Sequence, residues 1–390
     1  VWQVGTIRVG KIGGIAVDVH LTFAFVILWG AWQGWFQYGS LVGAGYGILL
    51  VLLLFICILL HELGHGLQAR AFGIVARRIT LLPIGGLAQL DSPPAFPSHE
   101  LLIALAGPLV NLALALGLGF ASYLIQPFTL SSWVGEALRL FAAPPSAAGL
   151  TYYLVGANLT LFLFNMIPAF PMDGGRVLRS GLALIVDYEL ATRLAAWLGR
   201  ILALGMGVLG LIGWPSASIP PNPLLVLVGL MVFFGARHEE TYVRRQRALV
   251  RVEVGEVAER GAETLAPWDQ LTPRLLAKLF RGERALPVVI EGRVIGLLTY
   301  QDVRRLRDRG PFLTVAHAMR TQFPSLRSRD TLWVALQEMH SFQLSALPVI
   351  DEGVFQGVIS LEDIHHAWRF AARRRRRNEA TLAPGDTMPR

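Results

Sequence analysis

Along the first 236 residues the apolar positions come in long blocks, separated by short polar stretches that carry most of the charge. A helix needs about 20 apolar residues to cross a bilayer core, so blocks of this length read as membrane spans. The pattern predicts six of them, at about 19–38, 41–69, 99–126, 149–170, 193–213 and 222–236. Two stretches break it. Ile79–Leu90 is too short to span and carries Gly85-Gly86 between two apolar runs, which predicts a hairpin or loop. An open strand edge in lipid leaves peptide groups unpaired, so this segment must lie against protein or at a cavity. The second is Asn165–Gly175, where Pro168, Pro171, Gly174 and Gly175 interrupt the helical pattern. Irregular backbone at membrane depth lines a site.

After Gly235 the pattern changes. A charged, helical connector (237–251) leads into a region that repeats. Leu286-Pro-Val-Val289 returns as Leu347-Pro-Val-Ile350, and Gly296-Leu-Leu-Thr299-Tyr-Gln-Asp302-Val303 returns as Gly357-Val-Ile-Ser360-Leu-Glu-Asp363-Ile364, both 61 residues later. Two motifs at one offset predict a tandem module, 252–309 and 310–370, each half reading helix, strand, Gly turn, strand, helix. A basic tail, 371–390, follows; its Arg373–Arg377 run reads as a solvated end with a general attraction to anionic lipid.

Composition agrees. The chain has 390 residues, 53% hydrophobic and 16% charged, with mean hydropathy +0.50. That excludes an ordinary soluble enzyme and predicts an α-helical polytopic membrane protein with a C-terminal α/β module. The net charge of +8 is unevenly placed. One set of connections carries Arg8, Lys11, Arg70, Arg77, Arg78, Arg176, Arg179, Arg193, Arg237, Arg244 and Arg245; the opposite set carries Arg139. The positive-inside rule then puts both termini in the cytosol. Phe23, Phe25, Trp29, Trp32, Trp35 and Phe36 read as lipid-facing and interfacial anchors. The single Cys57 lies in an apolar run, so neither a disulfide framework nor a Cys-based zinc site is expected. Val1–Lys11 is not followed by a short apolar core with a small-residue cleavage site, and no cleavable signal is expected.

The chemistry sits inside the second block, at His61-Glu62-Leu63-Gly64-His65. On a helix the two imidazoles are one turn apart on one face and can share a metal ion. Glu62 beside them can take a proton from an attacking water. A charge near the middle of a membrane helix costs about 2.5–3.5 kcal/mol, so ionisable groups clustered here need a common partner, and a metal ion is the simplest. A hydrolytic zinc site takes three protein ligands and leaves one position open. Asp91, Glu100 and Asp173 are candidates for the third. Asp173 and Glu100 also suit helix caps. Asp173 is favoured because it lies in the broken segment, where backbone can be re-aimed.

Together, His61-Glu-Leu-Gly-His65, Gly107-Pro-Leu-Val-Asn111 and Asn165-Met-Ile-Pro-Ala-Phe-Pro-Met-Asp-Gly-Gly175 resemble the site-2 protease family of intramembrane metalloproteases. Leu82-Pro-Ile-Gly-Gly-Leu-Ala88 and Gly14–Phe23 also fit, so the resemblance covers roughly 5–235. It implies one Zn²⁺ held by His61, His65 and Asp173, with Glu62 as general base. It further implies a membrane-embedded hairpin around Gly85 and Gly86 that meets an unwound substrate helix by edge addition. Asn111 and Asn165 match polar motif positions and become substrate-contact candidates. For Asn165, an interhelical hydrogen bond stands as an equal alternative. His20 and Thr22 are placed in the first span as packing residues.

The repeated halves resemble a pair of CBS domains, which specifies a prokaryotic subgroup of the family in the cell membrane. That likeness implies an adenine nucleotide between the halves, near Thr299, Asp302, Ser360 and Asp363, or else a purely structural module in which these residues cap helices. CBS pairs often associate, which suggests a homodimer; no nucleic-acid partner is expected. The implied function is cleavage of transmembrane segments of membrane-anchored regulators, modulated through the CBS pair. Two rivals stand beside it: a CBS-gated ion transporter or channel, and an inactive relative that sequesters membrane helices. Transport does not require two His flanking a Glu at this spacing, and the intact His61, Glu62, His65 and Asp173 argue against inactivity.

Overall fold

A computed structural model describes residues 5–83, 85–125, 146–213, 220–282, 285–305 and 314–370. The expected basic tail lies outside them. The chain divides into two compact units, Val1–Glu240 and Thr241–Arg390.

The first unit opens with two strands, β1 (Thr6–Ile12) and β2 (Ile15–His20), before α1 (Phe23–Tyr38) and α2 (Leu41–Ala71). β3 (Ala76–Leu82) and β4 (Gly85–Leu90) follow, confirming the hairpin expected around Gly85-Gly86. The four strands form one sheet in the order β1-β2-β3-β4. β2 and β3 pair in parallel across the α1–α2 excursion, Ala16 opposite Arg78 and Val19 opposite Leu81. Asp18 is buried in β2 and ion-paired with Arg8 at 3.1 Å and Arg78 at 2.9 Å, so one carboxylate ties β1 and β3 to the strand between them. His20 and Thr22 close β2 instead of lying in a span: His20 Nδ1 and Thr22 Oγ1 are 2.7 Å apart.

α3 (Pro97–Ile125), α4 (Ala147–Asn165), α5 (Asp173–Ala183), α6 (Tyr188–Ile212) and α7 (Pro223–Val250) follow among the described residues. Among the described residues four helices, α2, α3, α4 and α6, are long and apolar enough to cross a membrane. The other two expected spans differ. α1 has 16 residues because β2 takes the start of that block, and at about 1.5 Å per residue it falls short of a bilayer core of about 30 Å. α7 runs on from its apolar start through the whole charged connector to Val250. Trp29, Trp32, Trp35 and Phe36 are exposed, as the anchoring reading requires, but Phe23 is buried edge-on against Phe55 at 4.4 Å.

α1 and α2 touch along glycines. A Cβ on Gly34 would run into the Gly43 carbonyl oxygen, and one on Gly47 into that of Gly30. Small residues let membrane helices approach backbone to backbone, where dispersion replaces the missing hydrophobic drive.

The second unit holds the two repeats. α8 (Val254–Val257), α9 (Pro273–Gly282), β5 (Leu286–Ile290), β6 (Arg293–Leu298), α10 (Tyr300–Arg304) and α11 (Val315–Ala318) lead to α12 (Leu332–Phe342), β7 (Ala346–Asp351) and β8 (Val354–Ser360), with a further helix over 361–370. Both hairpins turn on Glu-Gly with positive φ, at Glu291-Gly292 and Glu352-Gly353. Two positive φ values in a row suit the twist of a tight antiparallel hairpin. Leu332, Leu336 and Met339 of α12 pack on Leu347, Val349 and Ile359, which gives the helix and hairpin a shared core.

Candidate active site

Three elements bring the site together. α2 carries His61 and His65 on one face, their ring centroids 4.7 Å apart. α3 passes directly against their Nε2 edges at Gly107. A Cβ there would collide with Nε2 of His65 and crowd Nε2 of His61, so only glycine lets α3 pass this close. The third element is the broken segment. α4 ends at Asn165, as Pro168 and Pro171 forbid its continuation. The chain is then anchored by buried Ala169, Phe170 and Met172. It restarts as α5 with Asp173 as its first residue.

The result is a near-equilateral triangle. His61 Nε2, His65 Nε2 and Asp173 Oδ2 are 3.1 Å apart on every side. Three ligand atoms of a tetrahedral zinc at about 2.0–2.1 Å would sit about 3.3–3.4 Å from one another, so the triangle is close to the size zinc requires. The donors suit zinc as well: two imidazoles and one carboxylate oxygen, leaving room for a fourth ligand.

Each imidazole is held from behind. His65 Nδ1 lies 2.6 Å from the Ile103 carbonyl oxygen, which can only accept, so Nδ1 carries the proton and Nε2 is free to ligate. His61 Nδ1 lies 2.6 Å from Asn111 Oδ1. Hydrogen bonds of this kind fix ring orientation and tautomer at metal sites. Asn111 is fully buried and its amide is committed to His61 and Asn158, which removes it from the substrate-contact position expected for it.

Glu62 lies against the hairpin. A Cβ on Gly86 would strike its side chain, so β4 passes directly over the carboxylate at a residue without one. Gly85 opens the same strand, opposite Leu82. β4 is the end strand of its sheet among the described residues. Asn165 is half-buried at the last residue of α4, and its amide takes no hydrogen bond among the described residues.

The other candidates for a third ligand are engaged elsewhere. Asp91 pairs with Arg77, and Glu100 pairs with Arg179. The latter contact belongs to a cluster that the sequence reading missed. Arg179 of α5, only 4% exposed, is held between Glu100 of α3 and Glu239 of α7, with Nη1 2.6 Å from Glu239 Oε1. It also lies 5.0 Å over the Phe170 ring.

In the repeats, Thr299 and Asp302 cap each other at the start of α10, and Arg320 takes both oxygens of Asp302 at 3.0 and 2.7 Å. Ser360 and Asp363 make the same reciprocal pair. Beside Asp302, a cleft of about 550 Å³ is lined by Gln301, Arg305, Arg320, Gln322 and Gln343, among others.

Comparison with known proteins places these features. Residues 49–206 match Peptidase family M50, and residues 272–309 and 315–369 match the CBS domain. A zinc metalloprotease of Methanocaldococcus jannaschii is 31% identical over 365 residues, covering 93% of this chain and 96% of that protein. Rip3 of Mycobacterium tuberculosis is 28% identical over 383 residues, 92% of this chain and 91% of its own. The solved structure of a site-2 protease from M. jannaschii is 36% identical, covers 60% of this chain and 95% of that one, and has a TM-score of 0.40. The two halves of the chain thus match the two modules its motifs suggested, and the M. jannaschii metalloprotease aligns along nearly its whole length. The chain belongs to peptidase family M50, the site-2 protease family of zinc metalloproteases, and carries a C-terminal CBS pair.

Proposed function

We propose that this zinc metalloprotease cleaves transmembrane segments of membrane-anchored regulatory proteins, using His61, His65 and Asp173 to hold one zinc ion and Glu62 to move the protons. The observation that carries the reading is the 3.1 Å triangle of Nε2, Nε2 and Oδ2 that the apolar helix α2 forms with the first residue of α5. When bound there, zinc supplies a Lewis acid that acidifies water and polarises the scissile carbonyl. Glu62 accepts the water's proton and returns it to the leaving amine. A helical substrate ties up its carbonyls in its own hydrogen bonds, so it must be extended before attack. The end strand β4, running over Glu62 at Gly86, offers a backbone edge on which an extended segment can pair. The free amide of Asn165 can then hold the substrate's peptide oxygen. Charge at the connections supports cytosolic termini in a prokaryotic cell membrane, with the site toward that side.

The test is metal and activity together. Purified protein is expected to contain one zinc per chain and to cleave a membrane-helix peptide. A chelator abolishes cleavage and added zinc restores it, while Asp173→Ala holds zinc at least about tenfold more weakly. Chelator-resistant cleavage, or full zinc affinity in Asp173→Ala, would refute the scheme.

A second proposal concerns the CBS pair. The polar cleft beside Asp302, with Arg305 and Arg320 in its lining, suits a phosphate-bearing ligand such as an adenine nucleotide. Thr299, Asp302, Ser360 and Asp363 are occupied in capping, so they would have to exchange partners to contact it. The connector 237–251 joins the two units in sequence, and an effect of a ligand on cleavage would travel through it. Millimolar ATP or AMP is expected to change the cleavage rate measurably. Identical rates with and without nucleotide would retire the modulation and leave the zinc scheme standing.

A further inference from the structure

Two amides lie end to end behind His61. Asn111 of α3 and Asn158 of α4 are both 0% exposed, and neither touches the site the metal would occupy. Buried amides must be satisfied in both directions, and here the directions can be traced to one fixed point. Asn158 Nδ2 is 2.8 Å from the Leu154 carbonyl oxygen. That oxygen can only accept, so the NH₂ of Asn158 faces it and, on the same side, Cys57 Sγ at 3.2 Å. The Oδ1 of Asn158 therefore faces Asn111, which must present its own NH₂, at 2.8 Å. This leaves Asn111 Oδ1 toward His61 Nδ1 at 2.6 Å, where it accepts. His61 then carries its proton on Nδ1 and presents the Nε2 lone pair to the triangle.

We infer that Asn158 is a positioning residue for the zinc site: it sets the direction of the Asn111 amide, and through it the tautomer of His61. Without Asn158, the Asn111 amide is free to turn over and offer NH₂ to His61. The imidazole would then accept at Nδ1 and carry its proton on Nε2, where a ligand lone pair is needed. His65 has its own carbonyl and is untouched by this relay. The inference rests on His61 being a zinc ligand.

The test is a double-mutant cycle read by zinc affinity, measured on the full chain by competition with a chelating dye. Asn158→Leu is expected to weaken zinc binding by about tenfold, within the range of outer-partner substitutions, and Asn111→Leu by at least as much. Because the two act in series, the double variant binds no more weakly than Asn111→Leu alone. Wild-type affinity in Asn158→Leu, or losses that multiply in the double variant, would overturn the relay. Should Asn158→Leu fail to fold, the ¹⁵N-imidazole spectrum of the zinc-free wild type decides, with His61 assigned by its loss in His61→Gln. A proton on Nδ1 supports the relay and a proton on Nε2 refutes it. Failure of the zinc reading itself would appear separately, as no zinc bound by the wild type.

Discussion

Glu62→Gln is expected to slow cleavage of a membrane-helix peptide by about a hundredfold to ten-thousandfold, the range for losing a general acid–base group. Bound zinc should stay at the wild-type level. The two expectations separate because the structure separates the groups. Gln keeps the volume that packs against Gly86 and β4, and it leaves the His61–His65–Asp173 triangle alone. Only proton transfer is lost. The measurement is initial cleavage rate in detergent or proteoliposomes, with zinc content determined on the same preparation. Undiminished cleavage with zinc bound would remove Glu62 from the mechanism.

Arg179→Leu is expected to destabilise the membrane unit by about 3–5 kcal/mol, the usual loss when one partner of a buried ion pair is removed. The guanidinium is shared by Glu100 and Glu239, so its removal strands a carboxylate that is nearly as buried as Arg179 itself. Thermal unfolding of the detergent-solubilised protein reads the effect, and Arg179→Leu with Glu100→Leu should recover part of it. An unchanged midpoint for Arg179→Leu would show the cluster to be dispensable. The cluster also carries a pH signature. Burial pushes the Glu239 carboxyl up, but Arg179 and Arg176 outweigh it and hold the group below its usual range. That contribution is present at neutral pH and is lost as the pH falls through the lowered value.

What the sequence disclosed, and what it hid, follows from range. His61, Glu62 and His65 are local, and one helical turn is enough to read them. Asp173 was legible because Pro168 and Pro171 announce broken backbone at the end of a span. The tandem module announced itself by repetition. The sheet was only half visible: β3 and β4 are neighbours joined by a short turn, but β2 finds β3 across two helices. No local pattern encodes that pairing, so the first block reads as helix from residue 19. Asn111 stands out in its motif, but a motif does not say whether a side chain looks toward the substrate or toward the back of an imidazole. Asn158 offers the signal of an amide in the middle of an apolar helix, but that signal names no partner. Arg179 was counted with the loop charges that set orientation, whereas its pairing with Glu100 and Glu239 is visible only once α3, α5 and α7 are assembled.

The glycine seam between α1 and α2 bears on how a substrate could enter. Gly34 and Gly47 set backbone against backbone, Gly30 and Gly43 receive Val51 and Tyr38 beside them, and Ser40 caps the start of α2 through the Gly43 amide. A joint of this kind has no slack to swing on, because parting the rods by even a little forfeits contact along the full row. The pair is therefore expected to move as a single stiff plank that carries His61 and His65 with it, so that under the proposed function a doorway for a polypeptide would open along another flank.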